Sequence, residues 1–301
     1  MSLRLLLPET GVTDLLLTWP DEPQVYERGK TALDNAVTAS SLQEWLFTGC
    51  APVAEVAAVK APRPSVNPKL YTNTYGRTNG AKLKELYSDG YTLRLGNLQR
   101  VMPFMAQVSR QIQAETGFSN YIHAFLTPGG HQGLRHHWDQ QMAVIVQLSG
   151  VKVWQMWKPP VEAPMREYNE SFRVWRDDYV PGWKAAGPDR EIALKPGQSM
   201  LLPRGWVHNP LVADPDEPSI HLTFAIRERT PVWLAEKLIA GAIENPQFRQ
   251  VVRPGQLTGT PLVQRLHDVR GELINYLNGL DMSAVAGEVH RASVTELEYN
   301  T

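Results

Sequence analysis

The stretch that decides the fold is 142–157, which reads MAVIVQLSGVKVWQMW. Its first half is apolar and rich in β-branched residues, and its second half alternates with a period of two. Ser149-Gly150 between the halves is a tight-turn signal, so the stretch predicts two antiparallel strands joined in a hairpin. The organisation of the chain is therefore built outward from a β core.

Short strands are predicted on both sides of this hairpin. They lie at 120–127, 191–194, 199–202 and 219–226. Turn residues such as Pro196-Gly197 separate them, and many short strands between Gly and Pro turns are typical of a sandwich or a small barrel.

Helical patterns flank the predicted strands. The residues up to about 120 are predicted to be mostly helical, with helices at 40–47 and 97–116. Helical spacing returns after Thr230 and includes a long helix at 261–280. We therefore expect an N-terminal helical part packing on the barrel, the barrel core and a C-terminal helical region, at 1–118, 119–229 and 230–301.

The composition excludes several classes of protein. Lys and Arg number 30 and Asp and Glu 31, a formal net charge of -1, so we expect neither a strongly basic nucleic-acid binder nor an acidic disordered chain. No apolar stretch approaches the ~20 residues of a membrane span, and the first residues lack the features of a secretion signal. The single cysteine, Cys50, rules out an internal disulfide and suits a reducing compartment, so a cytoplasmic protein is expected.

A metal site is predicted from three residues. His137 and Asp139 are two apart, so on an extended chain they point to one face. His208 follows an apolar strand in a turn-rich segment and can complete two histidines and one carboxylate, the facial triad of non-haem Fe(II) oxygenases. A His-x-Asp pair is common by chance, but the β-rich surroundings favour the metal site. His131 and His136 are rivals, and His136 is rejected because it points to the opposite face.

Lys152 has two interpretations. On the alternating strand it shares a face with Trp154 and Met156. The strand is either an edge strand whose lysine reaches water, or an interior strand whose lysine pairs with a carboxylate inside the barrel. The alternation does not decide between them.

Four blocks of sequence, in the same order, resemble the JmjC-type, cupin-fold 2-oxoglutarate oxygenases. The blocks are 126–139, 146–154, 194–208 and 219–223. They are most similar to the ribosomal-oxygenase branch, which hydroxylates arginyl or histidyl residues of ribosomal proteins. The resemblance implies an α+β fold with a mainly β core, a double-stranded β-helix barrel between N-terminal helices and a C-terminal helical region.

The resemblance also implies roles for individual residues. The Fe(II) ligands would be His137, Asp139 and His208, with no catalytic residue beyond them. Lys152 would pair with the far carboxylate of 2-oxoglutarate. Three more residues would border that cosubstrate: His123, His221 and Thr223. His123 stands where relatives often have Asn, and Gln198 replaces the usual Asp of its turn, so the sequence departs from the family pattern at both positions.

The implied activity is hydroxylation of an amino-acid side chain of a protein or peptide with Fe(II), 2-oxoglutarate and O₂. A ribosomal protein as substrate and a homodimer through 230–301 are implied partners. Two alternatives stay open: a biosynthetic oxygenase acting on a small molecule or a ribosomally made peptide, and a non-catalytic metal-binding cupin.

The insert at 160–190 has an open role. Trp175 and Trp183 could line a substrate groove or simply anchor the loop. Glu170, Asp177 and Asp178 could attract a cationic side chain or form a solvated acidic loop.

Overall fold

The computed structural model describes residues 2–164 and 178–295. They divide into two compact units. The first takes the residues up to Thr116 together with Asn120–Arg227, and the second takes Gly117–Ser119 together with the residues from Glu228 onward. No helix within the two described ranges has the length and the apolar composition that a bilayer crossing requires.

The first unit is built on two antiparallel sheets. In chain order the described strands are β1 Gln24–Glu27, β2 Val56–Val59, β3 Thr92–Leu95, β4 Asn120–Thr127, β5 His137–Trp138, β6 Met142–Ser149, β7 Lys152–Trp157, β8 Arg190–Leu194, β9 Gln198–Leu202, β10 Val207–Leu211 and β11 Ser219–Ile226. The larger sheet has the order β1-β9-β6-β11-β4-β3-β2, and the smaller has the order β5-β10-β7-β8.

The core of this unit lies between the two sheets. Ile145 and Met200 reach into it from the larger sheet, and Trp154, Met156 and Leu194 reach into it from the smaller one. β11 is buried along its whole length and lies in the middle of the larger sheet, between β6 and β4. This mainly antiparallel core with flanking helices confirms the predicted α+β class.

The predicted strands are confirmed, and the bounds of β4 and β11 agree to the residue. The hairpin of the opening stretch is β6–β7, with its turn at Ser149-Gly150. Gly150 has φ +62°, and a Cβ there would collide with the carbonyl of Pro218. Only glycine fits this turn, which is why the turn signal was reliable.

The described helices are α1 Glu9–Thr13, α2 Ala32–Ala36, α3 Ala39–Phe47, α4 Gly80–Ser88, α5 Leu98–Val101, α6 Pro103–Thr116, α7 Tyr179–Ala186, α8 Pro231–Ala240, α9 Gly259–Asn278 and α10 Met282–Thr295. Single turns of 3₁₀ or π helix lie at Leu3–Leu5, Asp14–Thr18, Val53–Glu55, Pro68–Tyr71, Gly241–Glu244, Pro246–Arg249 and Pro254–Gln256.

The N-terminal residues carry more strand than predicted. β1 pairs with β9, and the antiparallel pair β2–β3 adds to β4, so all three extend the larger sheet. Each has only four residues, too few to establish an alternation in a sequence. The helix predicted at 97–116 is two helices, α5 and α6, because Pro103 lacks the N–H that would continue the first one.

The second unit is helical, and few of its described residues are fully buried. Within the described residues 228–295, Ala242 alone is buried. Its exposed large apolar side chains are Val232, Leu234, Ile239, Ile243, Val251, Leu257, Val263, Leu266, Ile274 and Met282. α8 and α9 confirm the predicted helices, and α10 lies beyond them.

Candidate functional site

Three side chains of the first unit offer metal-ligand atoms to one point. His137 begins β5, Asp139 follows that strand, and His208 lies on β10. His137 and His208 are direct partners in the β5–β10 pair, with ring centroids 4.2 Å apart. One ligand atom from each of the three residues lies within 4.8 Å of the other two. The structure therefore brings together the three residues that the sequence selected.

Backbone carbonyls orient both imidazoles. His137 Nδ1 is 2.8 Å from the carbonyl oxygen of Arg135, and His208 Nδ1 is 2.9 Å from that of Trp206. Since a carbonyl can only accept, each Nδ1 carries the proton and each Nε2 keeps its lone pair. His208 Nε2 is 3.8 Å from the nearest Asp139 oxygen, too far for a hydrogen bond. The lone pair of His208 Nε2 is therefore oriented by the backbone and is not engaged in a hydrogen bond with Asp139.

Burial keeps His208 in the form that binds metals. Burial and, second, the neighbouring His137 lower the pKa of the His208 ring to about 4. The ring is therefore neutral near pH 7, which is the state of a histidine ligand.

These side chains share one cavity of about 160 Å³ with the other predicted residues. Lys152, His123, His221 and Thr223 all line it, so all seven of the predicted site residues face the same space. Trp154 and Ile145 add apolar walls to it.

Lys152 is a buried amine, and the described residues give it no charged partner. It is 2% exposed on β7, which lies inside the smaller sheet between β10 and β8, so the edge-strand interpretation is wrong. Its Nζ donates a 2.7 Å hydrogen bond to Thr127 Oγ1, which is 3.0 Å from Thr92 Oγ1. Among the described residues no carboxylate pairs with it, and burial lowers the pKa of Lys152 to about 7. A protonated amine here requires an anion beside it.

His123 presents an N–H donor. The backbone N–H of Asn97 donates a 3.1 Å hydrogen bond to His123 Nδ1, so the neutral ring carries its proton on Nε2. Burial and then the charge of Arg94 lower the pKa of His123 to about 4. Asn97 itself is held in the left-handed region, with φ +47°, and its side chain donates to Glu55 at 2.8 Å.

His221 and Thr223 stand on β11. The His221 ring stacks on Phe125 at 4.9 Å and 9° and meets the edge of Trp154 at 5.4 Å. Its buried Nδ1 has no hydrogen-bond partner among the described residues, and burial lowers the pKa of His221 well below its usual value. Thr223 lies opposite His123 in the β11–β4 register. Polar atoms of both residues are thus available to a molecule in the cavity.

Arg94 and Tyr121 line the cavity but were not selected from the sequence. Arg94 lies on β3, and its buried Nε has no hydrogen-bond partner in the part of the chain that the structure describes. The alternation of Thr92 and Arg94 with two leucines is the signal that could have identified it. β3 is too short for that signal to stand out.

The rival histidines do not join the metal-ligand group. The His136 ring packs on Trp157 at 4.9 Å and on Trp183 at 6.2 Å. His131 does not line this cavity and is not part of the metal-ligand group. Its ring lies close to Gly90, where a Cβ would collide with it.

The insert contributes one anchor to the fold. Trp183 lies on α7 and packs against Trp138 and Trp157, and it does not line the cavity. Asp178 is exposed just before α7. Glu170, Trp175 and Asp177 lie outside the described residues.

Comparison with known proteins agrees with the site. Residues 94–232 match the family described as the JmjC domain. Ribosomal oxygenase 1 of Danio rerio is 29% identical over 174 residues, 57% of this chain and 30% of that protein. The bifunctional lysine-specific demethylase and histidyl-hydroxylase NO66 of Drosophila persimilis is 24% identical over 238 residues, 78% of this chain and 33% of that protein. The chain thus spans about a third of the length of these relatives.

Solved structures show the same fold. An X-ray structure of Escherichia coli ycfD has a TM-score of 0.60 at 13% identity and covers 98% of this chain and 74% of that chain. The structure of YcfD, a ribosomal oxygenase from Escherichia coli, in complex with cobalt and 2-oxoglutarate has a TM-score of 0.54 at 12% identity and covers 94% of this chain and 72% of that chain. The JmjC match confirms the resemblance, and these neighbours confirm the fold that it implies.

Proposed function

We propose that the JmjC domain formed by residues 94–232 makes this chain an Fe(II)- and 2-oxoglutarate-dependent oxygenase that hydroxylates an amino-acid side chain of a protein or peptide. The observation that carries the proposal is that the metal-ligand group and the buried amine of Lys152, which pairs with no carboxylate of the described residues, line one cavity. A metal-binding protein needs only the first feature. A metal together with a dianionic cosubstrate accounts for both.

The donor set fits Fe(II). His137, His208 and Asp139 supply two imidazole nitrogens and one carboxylate, the donor combination of non-haem iron oxygenases. In both histidines Nδ1 faces a backbone carbonyl, so Nε2 is the atom left to bind an ion. Three protein ligands leave the other positions of the ion to cosubstrate and O₂.

The chain would hold 2-oxoglutarate through its own polar groups. Lys152 would pair with the far carboxylate, and the Thr127 hydroxyl beside it could donate a second hydrogen bond. We assign His123, His221 and Thr223 to the border of the cosubstrate. When bound, Fe(II), 2-oxoglutarate and O₂ supply the oxidising chemistry, which yields succinate, CO₂ and a hydroxyl group in place of a C–H hydrogen.

The protein's own contribution is position and shielding. Trp154 and Ile145 wall the cavity that holds the buried His208, whereas the Asp139 side chain stays 34% exposed. Lys152 would fix the end of the cosubstrate that does not react. No side chain is needed as an acid or a base, and none is assigned.

A protein substrate is favoured by the relatives. Their names describe ribosomal oxygenases and a histidyl-hydroxylase, so a ribosomal protein is one candidate substrate. Direct binding of nucleic acid is not part of the proposal, because the formal net charge is -1. A cytoplasmic location is proposed because the one cysteine, Cys50, is exposed as a free thiol, which a reducing compartment preserves.

A homodimer through the second unit is also proposed. The described residues 228–295 expose ten large apolar side chains and bury only Ala242, which no isolated helical unit in water tolerates well. A second copy of the same helices would cover these side chains by helix-on-helix packing.

The decisive experiment measures cosubstrate turnover. The full chain is incubated with Fe(II), 2-oxoglutarate and O₂, succinate is followed by NMR, and cell extract is searched by mass spectrometry for peptides that gain one oxygen. Asp139→Ala should abolish succinate formation, and Asp216→Ala, at an exposed aspartate outside the cavity, should leave it unchanged. Turnover that survives in the Asp139→Ala protein, or no turnover in the unaltered protein, would contradict the proposal.

A further inference from the structure

A second cavity, of about 370 Å³, lies directly beside the one that holds the metal-ligand group and Lys152, which we call the catalytic cavity. One of its walls is the loop 59–65 and the other is the segment 133–135. Gly133 and Leu134 line both cavities, so the two adjoin at these residues. We call this second cavity the arginine groove.

The arginine groove has positive charge and no negative charge among its lining residues. Arg63 and Arg135 stand on its two opposite walls, and both are exposed. Ser65 adds a hydroxyl, and the remaining lining residues are apolar, glycine or proline. Arg63 Nη1 is 3.4 Å from the Tyr91 hydroxyl, a neutral partner, and the carboxylate of Asp89, which does not line the groove, also acts on its charge.

The walls are fixed by backbone hydrogen bonds. Ala61 N–H donates to the carbonyl of Gln132 at 3.1 Å, which ties one wall to the other. The backbone N–H of Arg63 donates to the carbonyl of Lys60 at 2.8 Å, and that of Val66 donates to the carbonyl of Ala58 at 3.0 Å, so the loop is closed on itself. The groove is therefore formed before anything binds in it.

One wall is also tied to the metal-ligand group. The carbonyl of Arg135 accepts the hydrogen bond from His137 Nδ1 that orients this ring. A chain lying in the arginine groove would thus run past the residue that holds one ligand imidazole, and its next residues would meet Leu134 at the mouth of the catalytic cavity.

We propose that the arginine groove binds an Asp or Glu side chain of the peptide substrate, next to the residue whose side chain enters the catalytic cavity. This inference rests on the proposed function. Guanidinium groups bind carboxylates through two parallel N–H donors, and two arginines on facing walls can hold one carboxylate from both sides. A lysine or arginine of the substrate at this position would meet two like charges and be rejected.

The test uses a peptide mixture with every position randomised, because the substrate sequence is unknown. The full chain with Fe(II), 2-oxoglutarate and O₂ is given the mixture, and products that gain one oxygen are sequenced by mass spectrometry. Asp and Glu should be enriched at one fixed distance from the hydroxylated residue. In the double variant Arg63→Glu plus Arg135→Glu, Lys and Arg should replace them at that distance.

A matched control keeps the net charge change constant. Arg77→Glu plus Arg110→Glu alters two exposed arginines that line neither cavity, and it should keep the acidic preference. A second readout needs no turnover. Fluorescein-labelled peptides that differ only by Glu or Gln should differ about tenfold in affinity for the unaltered protein, and this difference should vanish in the groove variant.

The outcomes separate the two proposals. Hydroxylated peptides with no charge preference, or with a preference that the groove variant retains, would overturn the inference and leave the oxygenase intact. Succinate formation without any peptide product would also overturn it, because the groove would then have no peptide to hold. Absence of succinate formation would overturn the proposed function itself.

Discussion

The backbone N–H of Gly205 donates a 2.9 Å hydrogen bond to the backbone carbonyl of Asp139. This bond joins the segment that carries the carboxylate ligand to the turn that precedes His208. The two halves of the metal-ligand group are therefore held together by the polypeptide and do not depend on an ion for their approach.

Gly205→Ala should weaken metal binding. Gly205 has φ +83°, and a Cβ there would lie 2.9 Å from Pro164 Cγ, so either Pro164 or the turn must shift. We expect the turn to shift, because alanine is also strained at this φ, and the bond to Asp139 to lengthen. We expect Co(II) affinity to fall about tenfold, the effect typical of losing a group that orients a ligand. Calorimetric titration of the metal-free protein measures it.

Gly197→Ala is the matched control. Gly197 has φ +85° but nothing within 4 Å of a Cβ, so it carries the same backbone strain without a collision. Its metal affinity should stay within about twofold of the unaltered protein, although its stability should fall by about 1 kcal/mol. Equal metal affinities of the two variants would contradict the assigned role of Gly205.

Lys152→Met should stabilise the ligand-free protein and change its response to pH. The pKa of Lys152 is lowered by burial from the ordinary lysine value of 10.5 to about 7 in the folded chain, so between these values the unfolded chain binds more protons. Stability therefore rises with pH across this window, and the methionine variant should lack that rise. At pH 6.5 the variant should be more stable by about 2 kcal/mol in urea unfolding, because no ammonium is buried.

Binding of 2-oxoglutarate should be lost in the same variant. Lys195→Met, at an exposed lysine, should keep both the binding and the pH response of the unaltered protein. If the methionine variant at 152 and the unaltered protein had the same slope of stability against pH from 7 to 10, the charge state assigned to Lys152 would be wrong.

Asn97→Ala should cost more stability than Asn97→Gly. Both changes remove the 2.8 Å hydrogen bond from Asn97 to Glu55, but only alanine is strained at φ +47°. The alanine variant should be less stable by about 1 kcal/mol in a denaturant titration. If the glycine variant were less stable than the alanine variant, the backbone at position 97 would have left the left-handed region. His123 Nδ1 would then lose the backbone N–H of residue 97 that donates to it.

Leu266→Glu should dissociate the proposed dimer. Leu266 is 60% exposed on α9, and a carboxylate there would be buried between two copies. Light scattering after gel filtration should give the dimer mass for the unaltered chain and the monomer mass for the variant. Asn275→Glu, at an exposed polar position of the same helix, should remain dimeric. A monomeric unaltered chain would refute the dimer.

The barrel strands could be predicted because burial on a strand follows the pleat. Lys152, Trp154 and Met156 are all buried on β7, as the alternation requires. The His-x-Asp spacing likewise placed two candidate ligands on one face. These are local properties, which a sequence shows directly.

The rest depended on neighbours distant in the chain. Whether Lys152 reaches water is decided by β8, whose Leu194 lies opposite it, and nothing near Lys152 in sequence reveals that pairing. Arg94 enters the cavity only because the short β3 joins β4. The arginine groove likewise combines two segments that lie about 70 residues apart in the sequence.

The carbonyl-oriented imidazoles have a consequence for metal selectivity. A pocket whose ligands are already aimed accepts any divalent ion of similar radius, and Zn²⁺ and Cu²⁺ bind nitrogen and oxygen donors more tightly than Fe²⁺ does. Purified protein should therefore carry whichever transition ion dominated its surroundings. Iron would then occupy the site in the cell because iron is available there, and an excess of zinc would act as an inhibitor.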